Sequence, residues 1–414
     1  MPTRRSLILS LPAGAFASTF LARLPRAAAA DKVVKVGINL PFTGADADSA
    51  ERIKDGALLA IEDANRKGGV AGYRIEVMLL DGGTATAGQY DPAQAATNAR
   101  RMIADPQVVA AIGPEMSGSG KAMSPILSEG DLATITPAST NPDITDPQYA
   151  GQYRPKGKAI YFRTVTTDAF QGPNMANYFL QRLKVKAVYI LDDSGAYGVG
   201  LANAFESQTK KNGIKVLGHD RLDPLEADYT TILTKIKPMN PDALYYGGVA
   251  QAGVKLAKQS YDILPKIIKA GGDGMYSADI LKGAGFPACE GWYATTASPH
   301  VLDDPKVEAW VKRFAAKFGK EPEDYSITAY DAALVILDAV RRVAAAGKEV
   351  NRDTVRDAIE SAHLNTLQGE VSFDKDGDIR NHVVSVFQIV ENKKYPLDDP
   401  IHQYKYIGEA PASV

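Results

Sequence analysis

Two loops rich in hydroxyl side chains could together bind an anion. Residues 114–119 follow a predicted strand and lead into a helix that begins at about Ser119, and residues 136–142 follow the next strand. The start of a helix presents unpaired N–H groups, and serine and threonine hydroxyls add donors for an anion such as a carboxylate. Each loop alone could equally be an ordinary helix cap or turn. Because neighbouring parallel strands end at the same edge of a sheet, the two loops together favour an anion site.

An aspartate set between glycines could bind a cation. Asp273 lies within residues 271–274, directly after another predicted strand, where its glycine neighbours allow a ligand to approach closely. The loops at 192–198 and 245–249 follow strands in the same half of the chain. For Asp273 taken alone, a turn aspartate that caps its own loop is the simpler alternative.

The sequence offers little equipment for catalysis. Cys289 is the only cysteine, and the five histidines are scattered without metal-ligand spacing. Residues 113–121 resemble a phosphate-binding loop but lack its Gly-Lys-Ser/Thr ending. Residues 283–288 imitate a dinucleotide-binding turn, which Pro287 interrupts where a helix would have to begin. We therefore expect no enzyme, and neither a cofactor nor a metal.

The composition excludes several classes of protein. The chain has 414 residues, too many for a single core, and its 47 basic and 49 acidic residues give a formal net charge of −2. A nucleic-acid-binding protein usually carries a basic excess or a basic stripe. We therefore expect a globular protein of at least two lobes with no nucleic-acid partner.

The first thirty residues are typical of an export signal. Arg4 and Arg5 are followed by an uncharged stretch at 6–22, and the small residues 28–30 form a cleavage site. The paired arginines favour a twin-arginine signal, with a general secretory signal as the alternative. The uncharged stretch is short for a membrane span, and no cysteine follows it as a site for a lipid anchor. The prediction is a soluble periplasmic protein whose signal peptide is residues 1–30.

The remaining chain alternates predicted strands and helices in two successive units. This alternation indicates an α/β fold in which helices cover parallel sheets. The first unit has predicted strands at 33–40, 74–80, 108–112 and 133–135. The second has predicted strands at 161–165, 187–191, 215–218, 243–246 and 267–270. Residues 305–361 are predicted to be almost wholly helical, and 369–407 return to strand patterns.

Read as a whole, the chain resembles the Leu/Ile/Val-binding protein family of periplasmic solute receptors. The resemblance rests on residues 36–44, Asp63, Ala64, Asn65, Gly68, Gly69, Ile112, Gly113, Ser117, 136–140, 162–164, Asp168, Gln171, Gly172, Tyr197, Gly198, 245–248 and 329–331. It implies two Rossmann-like lobes with parallel sheets, joined by a three-crossover hinge, the type I periplasmic binding fold. The crossovers are expected near 163–164, 297–298 and 369. Lobe 1 would comprise 31–163 and 298–368, and lobe 2 would comprise 164–297 and 369–414.

The resemblance also implies a ligand site between the lobes. In this family a serine matching Ser117 and a segment matching Ala138, Ser139 and Thr140 hold the carboxylate of the ligand. An acidic residue matching Asp273 holds the ammonium group. The tyrosine matching Tyr197 closes over the ligand, and positions matching Val249 and Tyr330 border the pocket.

Three departures from the family pattern indicate a remodelled pocket for the ligand side chain. Ser49 stands at about the place of a pocket tyrosine, and Val249 replaces a second tyrosine. The family's disulfide has no counterpart, with Met116 at one of its positions. The resemblance to the family therefore does not identify leucine as the ligand of this chain.

These features predict the substrate-binding protein of an ABC importer. The expected ligand is a small solute that bears a carboxylate, with an amino acid of the branched-chain type as the first choice. The expected partner is an inner-membrane permease, and the receptor would be a monomer. The alternatives are the same fold with an aromatic acid, another organic acid or an amide as ligand, and a ligand-sensing domain of a signalling system.

Overall fold

The structure, a computed structural model, describes residues 32–412 of the chain. The predicted signal peptide lies outside these described residues. Among the described helices, none combines the length and the apolar character that crossing a lipid bilayer requires.

The first sheet is built from apolar, β-branched runs in the first 163 residues. Its elements are β1 (Lys32–Leu40), α1 (Ala47–Arg66), β2 (Tyr73–Asp81), β3 (Gly83–Thr84), β4 (Gln89–Tyr90), α2 (Pro92–Ala104), β5 (Val108–Ile112), α3 (Ser117–Glu129), β6 (Thr134–Thr136), α4 (Ala150–Tyr153) and β7 (Tyr161–Arg163). The order is β2-β1-β5-β6-β7, with every neighbouring pair parallel. All residues of β5 are buried, as expected for a strand covered on both faces.

The second sheet repeats this plan and adds two antiparallel strands. Its first elements are α5 (Asp168–Tyr178), β8 (Ala187–Asp192), α6 (Ala196–Lys211), β9 (Lys215–Arg221), α7 (Thr230–Ile236), β10 (Ala243–Gly247), α8 (Ala250–Ile263), β11 (Ile268–Gly271), α9 (Ala278–Ala284) and β12 (Tyr293–Thr296). After an excursion, β15 (Ser385–Ile389), α13 (Pro400–Gln403) and β16 (Tyr404–Glu409) complete the lobe. The order is β16-β15-β12-β11-β10-β8-β9, in which β15 is antiparallel to β12 and to β16. The predicted α/β class with parallel sheets is confirmed.

The excursion between β12 and β15 returns to the first lobe. It consists of α10 (Glu308–Phe318), α11 (Asp324–Ala345), α12 (Arg352–Glu360), β13 (His363–Thr366) and β14 (Gly369–Ser372). α11 lies against α1, and its apolar residues share one core with those of the first sheet. The strands of the second sheet belong to two other hydrophobic clusters, one toward each face of that sheet.

The third passage between the lobes differs from the predicted boundary at residue 369. Val371, Phe373 and Ile379 are buried in the core of the first lobe, and the rings of Phe162 and Phe373 lie 5.2 Å apart. The chain joins the second core only at Val384. The physical reason is the β13–β14 hairpin, whose apolar face packs on the first lobe before the chain crosses. By packing, lobe 1 therefore extends to residue 379.

Candidate functional site

A narrow cavity lies between the two lobes. Five residues expected at the ligand site line it, namely Ser117, Ala138, Tyr197, Val249 and Asp273. They are joined by Asp46, Ser49, Glu115, Met116, Gly274, Tyr276, Ser277 and Tyr325. Most of these residues follow the carboxyl ends of parallel strands, where ligands bind in open α/β sheets.

The first lobe contributes the start of α3 and a hydroxyl-rich loop. Ser117 opens α3, and no side chain caps that end of the helix, so its first amides can serve a ligand. The Ser117 hydroxyl oxygen accepts from the Asn141 N–H at 3.2 Å and lies 3.3 Å from the Ser139 hydroxyl, which donates to it. Helix start and hydroxyl together suit an anion.

Arg163 fixes this loop from behind. Its side chain is fully buried and donates to the carbonyl oxygens of Ser139 at 2.6 Å and Asn141 at 2.7 Å. Its Nε pairs with an Asp378 carboxylate oxygen at 2.7 Å. Three fixed contacts of one guanidinium hold the loop in a single conformation, which preorganises the anion-binding edge.

The second lobe contributes a buried carboxylate. Asp273 accepts hydrogen bonds from the Tyr197 hydroxyl, from the Tyr325 hydroxyl at 2.6 Å and from the Gln171 amide at 3.0 Å. Tyr325 belongs to the first lobe, so this carboxylate joins the lobes directly. Burial raises the pKa of Asp273 above its ordinary value, although these three donors oppose the shift. All of these donors are neutral, and the Gln171 amide also donates to Asp168, a second buried carboxyl group, at 3.1 Å. The described surroundings of Asp273 therefore offer no cation, and a ligand could supply one.

The backbone of the loop that carries Asp273 packs closely against the loop after β10. A Cβ at Gly274 would collide with the carbonyl oxygen of Gly248, so only glycine allows this turn to pack against the loop after β10. The N–H of Val249 in that loop donates to an Asp193 carboxylate oxygen at 2.9 Å. This packing places Val249 at the cavity wall.

Three of the expected residues do not line the cavity. Ser139 and Thr140 are buried behind the lining, where their backbone groups contact Arg163 and Asp168. Tyr330 lies elsewhere on α11, with its ring 5.6 Å from that of Trp310, and borders a separate surface pocket with Leu334. The expectation that Tyr330 borders the ligand pocket is therefore not met by this geometry.

Several lining residues were not anticipated. Asp46 and Glu115 follow β1 and β5, so the rule that loops after strands carry the site could have found both. Tyr325 begins a helix that follows no strand, and no pattern in the sequence marks it. Within residues 32–412, no group of histidine, cysteine and carboxylate side chains is arranged to hold a metal ion.

The sequence model of the family described as periplasmic binding protein matches residues 33–394. The chain belongs to this family. The chain is similar to the Leu/Ile/Val-binding protein BraC3 of Rhizobium johnstonii, with 29% identity over 90% of this chain and 95% of that protein. A leucine-, isoleucine-, valine-, threonine- and alanine-binding protein of Pseudomonas aeruginosa is 28% identical over 90% of this chain and 94% of its own. The resemblance drawn from the sequence is confirmed.

Solved structures of the family share the fold. The leucine-binding protein LivK of Thermotoga maritima has a TM-score of 0.77 and 27% identity, and the match covers 91% of this chain and 98% of that one. A solute-binding protein of an ABC transporter from R. palustris, in complex with benzoate, has a TM-score of 0.75, 20% identity and coverage of 92% and 97%. At 20% identity, the similarity to the R. palustris protein shows a shared fold and nothing more.

Proposed function

We propose that this periplasmic binding protein is the solute receptor of an ABC importer. It captures a small α-amino acid between its lobes and delivers it to an inner-membrane permease. The observation that carries the proposal is that an anion-binding helix start and a buried carboxylate line the same cavity from opposite lobes. The start of α3 with Ser117 suits a carboxylate, and Asp273 on the other lobe suits an ammonium group.

An α-amino acid carries one group for each of these two partners. Its carboxylate would accept hydrogen bonds from the first amides of α3 and from the Ser117 hydroxyl. Its ammonium group would donate to Asp273, a buried carboxylate whose hydrogen-bond donors are all neutral. The names of the Rhizobium and Pseudomonas relatives support this class of ligand.

An aromatic acid is the second candidate. The R. palustris neighbour holds benzoate, and a neighbour from Rhodopseudomonas palustris HaA2 holds p-hydroxybenzoic acid. In this chain such a ligand would place its carboxylate at Ser117 and let Asp273 accept from a ring hydroxyl. The two candidates differ in the ligand group that binds Asp273, which is a charged ammonium group for an amino acid and a neutral hydroxyl for an aromatic acid.

Calorimetry on refolded, ligand-free protein separates the candidates. The titrants are L-amino acids, the 2-oxo acids with the same side chains, and 4-hydroxybenzoate. We expect the amino acids to bind most tightly, because only they bring an ammonium group to Asp273. Tighter binding of the 2-oxo acids or of 4-hydroxybenzoate would overturn the amino acid assignment.

A further inference from the structure

Two buried carboxyl groups line the cavity in addition to the residues that would bind the α-carboxylate and α-ammonium groups. Asp46 is 4% exposed and Glu115 is 7% exposed. One oxygen of Asp46 accepts from the Ala250 N–H at 3.3 Å, and its other oxygen has no hydrogen-bond partner among the described residues. The buried Oε2 of Glu115 likewise has no partner there. Neither group is needed to hold an α-carboxylate or an α-ammonium.

The described residues that line the cavity include no lysine, arginine or histidine. Arg52 lies in the same region, but its guanidinium group already binds other partners. It pairs with Asp48 at 3.1 Å and donates to the carbonyl oxygens of Glu321 and Asp398. The described lining therefore supplies no positively charged partner to Asp46 or Glu115.

Two further acids, Asp279 and Glu323, lie near this pair and accept hydrogen bonds from the start of α1. Asp279 accepts from the N–H groups of Asp48 and Ser49 at the start of α1, and Glu323 accepts from the Ser49 hydroxyl. Burial and the charges of Asp46, Glu323 and Asp279 raise the pKa of Glu115 well above its ordinary value. Burial and the nearby charge of Asp279 likewise raise the pKa of Asp46 to about 7, so both carboxyl groups are held toward the protonated form until a cation binds beside them.

We infer that the solute carries a second cationic nitrogen group, at the end of its side chain, which binds between Asp46 and Glu115. The inference rests on the proposed amino acid function and narrows it to basic α-amino acids. A buried carboxylate without a partner is unfavourable, and a guanidinium or ammonium group supplies both the charge and several N–H donors. A neutral amide could bind the pair only in its protonated form, whereas a cationic group stabilises the ionised form.

The remodelled residues at this end fit the same ligand. Ser49 stands where the family carries a tyrosine, and Ser277 lines the cavity from the other lobe. Small hydroxyl side chains occupy less space than a tyrosine, and they can donate to or accept from a polar ligand chain beside the two carboxyl groups. A purely aliphatic side chain would have to bury them without compensation.

L-Arginine and L-citrulline are the matched probes, because they have nearly the same shape and differ in the charge of the terminal group. Calorimetry on the refolded, ligand-free protein should show L-arginine binding about 100-fold more tightly than L-citrulline. Equal affinities would overturn the inference. The amino acid proposal would still stand if L-citrulline bound more tightly than its 2-oxo analogue, whereas exclusive binding of 4-hydroxybenzoate would remove both.

Glu115→Gln tests the group itself with little change in volume. We expect its affinity for L-arginine to fall at least tenfold, with L-citrulline affected less than threefold. Glu129→Gln, at the exposed far end of α3, is the matched control and should behave as wild type. If Glu115→Gln does not fold, Asp46→Asn takes its place. Unchanged L-arginine affinity in the folded variant would contradict the inference.

Discussion

At the scale of single residues, the account depends on the charge of Asp273. Three neutral donors hold this carboxylate at the interface of the lobes, among them Tyr197 and Tyr325. Such donors orient an anion without neutralising it, so a bound cation gains a strong and specific partner. Its position between glycines explains how a carboxylate reaches this depth.

Asp273→Asn should therefore lower the affinity for an amino acid by about two to four orders of magnitude. The substitution removes one member of a buried ion pair and keeps an acceptor for the tyrosine hydroxyls. Calorimetry with the tightest amino acid ligand measures the loss, and the matching 2-oxo acid is the control because it has no ammonium group to lose. An affinity within threefold of wild type would show that the ammonium binds elsewhere.

The placement of site residues shows what the sequence could predict at this scale. Ser117 and Asp273 follow strands, so their loops could be identified from the pattern of elements, while their roles came from the family resemblance. Tyr330 could not be placed in this way. It lies five positions after Tyr325 on α11, and at 3.6 residues per turn the two side chains leave the helix in different directions. Only the packing of α11 on α1 decides which of them faces the ligand.

At the scale of elements, helix starts join the two lobes. α1 lacks a side-chain cap of its own, and Asp279 from α9 on the other lobe accepts from its Asp48 N–H at 3.3 Å and its Ser49 N–H at 2.9 Å. A carboxylate at a helix start satisfies its amides and is favoured by the helix dipole. This cap forms only when the lobes are together, so it stabilises closure.

Asp279→Ala should weaken ligands with uncharged side chains by the same factor, about tenfold at most. The variant loses a contact of the closed form and none with the ligand. Titrations with L-citrulline and L-leucine measure the two factors, and Asp262→Ala on the exposed face of α8 is the control. A loss confined to one ligand would instead place Asp279 in direct contact with it.

A charged histidine lies beside the crossovers. His300 is paired with Asp324 at 3.0 Å and Asp303 at 3.2 Å, and its N–H donates to Ser385 at the start of β15. Burial opposes its charge, but the two carboxylates outweigh burial and raise the pKa of His300 to about 9. The protonated ring thereby ties α11 to the passage that follows β12, and the backbone N–H of His300 joins that passage to the start of β15.

Because its pKa is higher in the folded protein, His300 stabilises the fold fully below about pH 6.5, and this contribution is lost as the pH rises through about 9. The expected loss is about 1–3 kcal/mol, with Asp303 contributing little because it is exposed. Urea unfolding of wild type and His300→Gln at pH 6 and pH 9.5 measures it. The difference between the two proteins should shrink at the higher pH, and a constant difference would contradict the role.

The boundary at residue 369 illustrates what element patterns omit. The short strands after α12 are predicted from their alternation, but alternation does not say which sheet they join. The hairpin of β13 and β14 packs on the first lobe because Asp331 of α11 accepts from the backbone of its turn, at 3.2 Å from the Leu367 N–H. Such a contact between distant parts of the chain leaves no mark in the local sequence.

At the scale of the whole molecule, the described structure is a closed form. Besides the contacts of Asp273 and Asp279, the Asn141 amide donates to the Ala196 carbonyl at 2.9 Å and the Gln251 amide donates to that of Ala87 at 3.0 Å. A few polar contacts around a polar cavity suit a hinge whose open and closed forms differ modestly in free energy. A ligand that bridges the lobes shifts that equilibrium by its preference for the closed form.

The most direct test of the central claim is the identity of the solute that the native protein carries. The protein is purified from periplasm without refolding, then denatured, and the released small molecule is identified by mass spectrometry. The account predicts an α-amino acid, and a basic one if the carboxyl groups of Asp46 and Glu115 act as inferred. An aromatic or other organic acid that lacks an amino group would contradict the account.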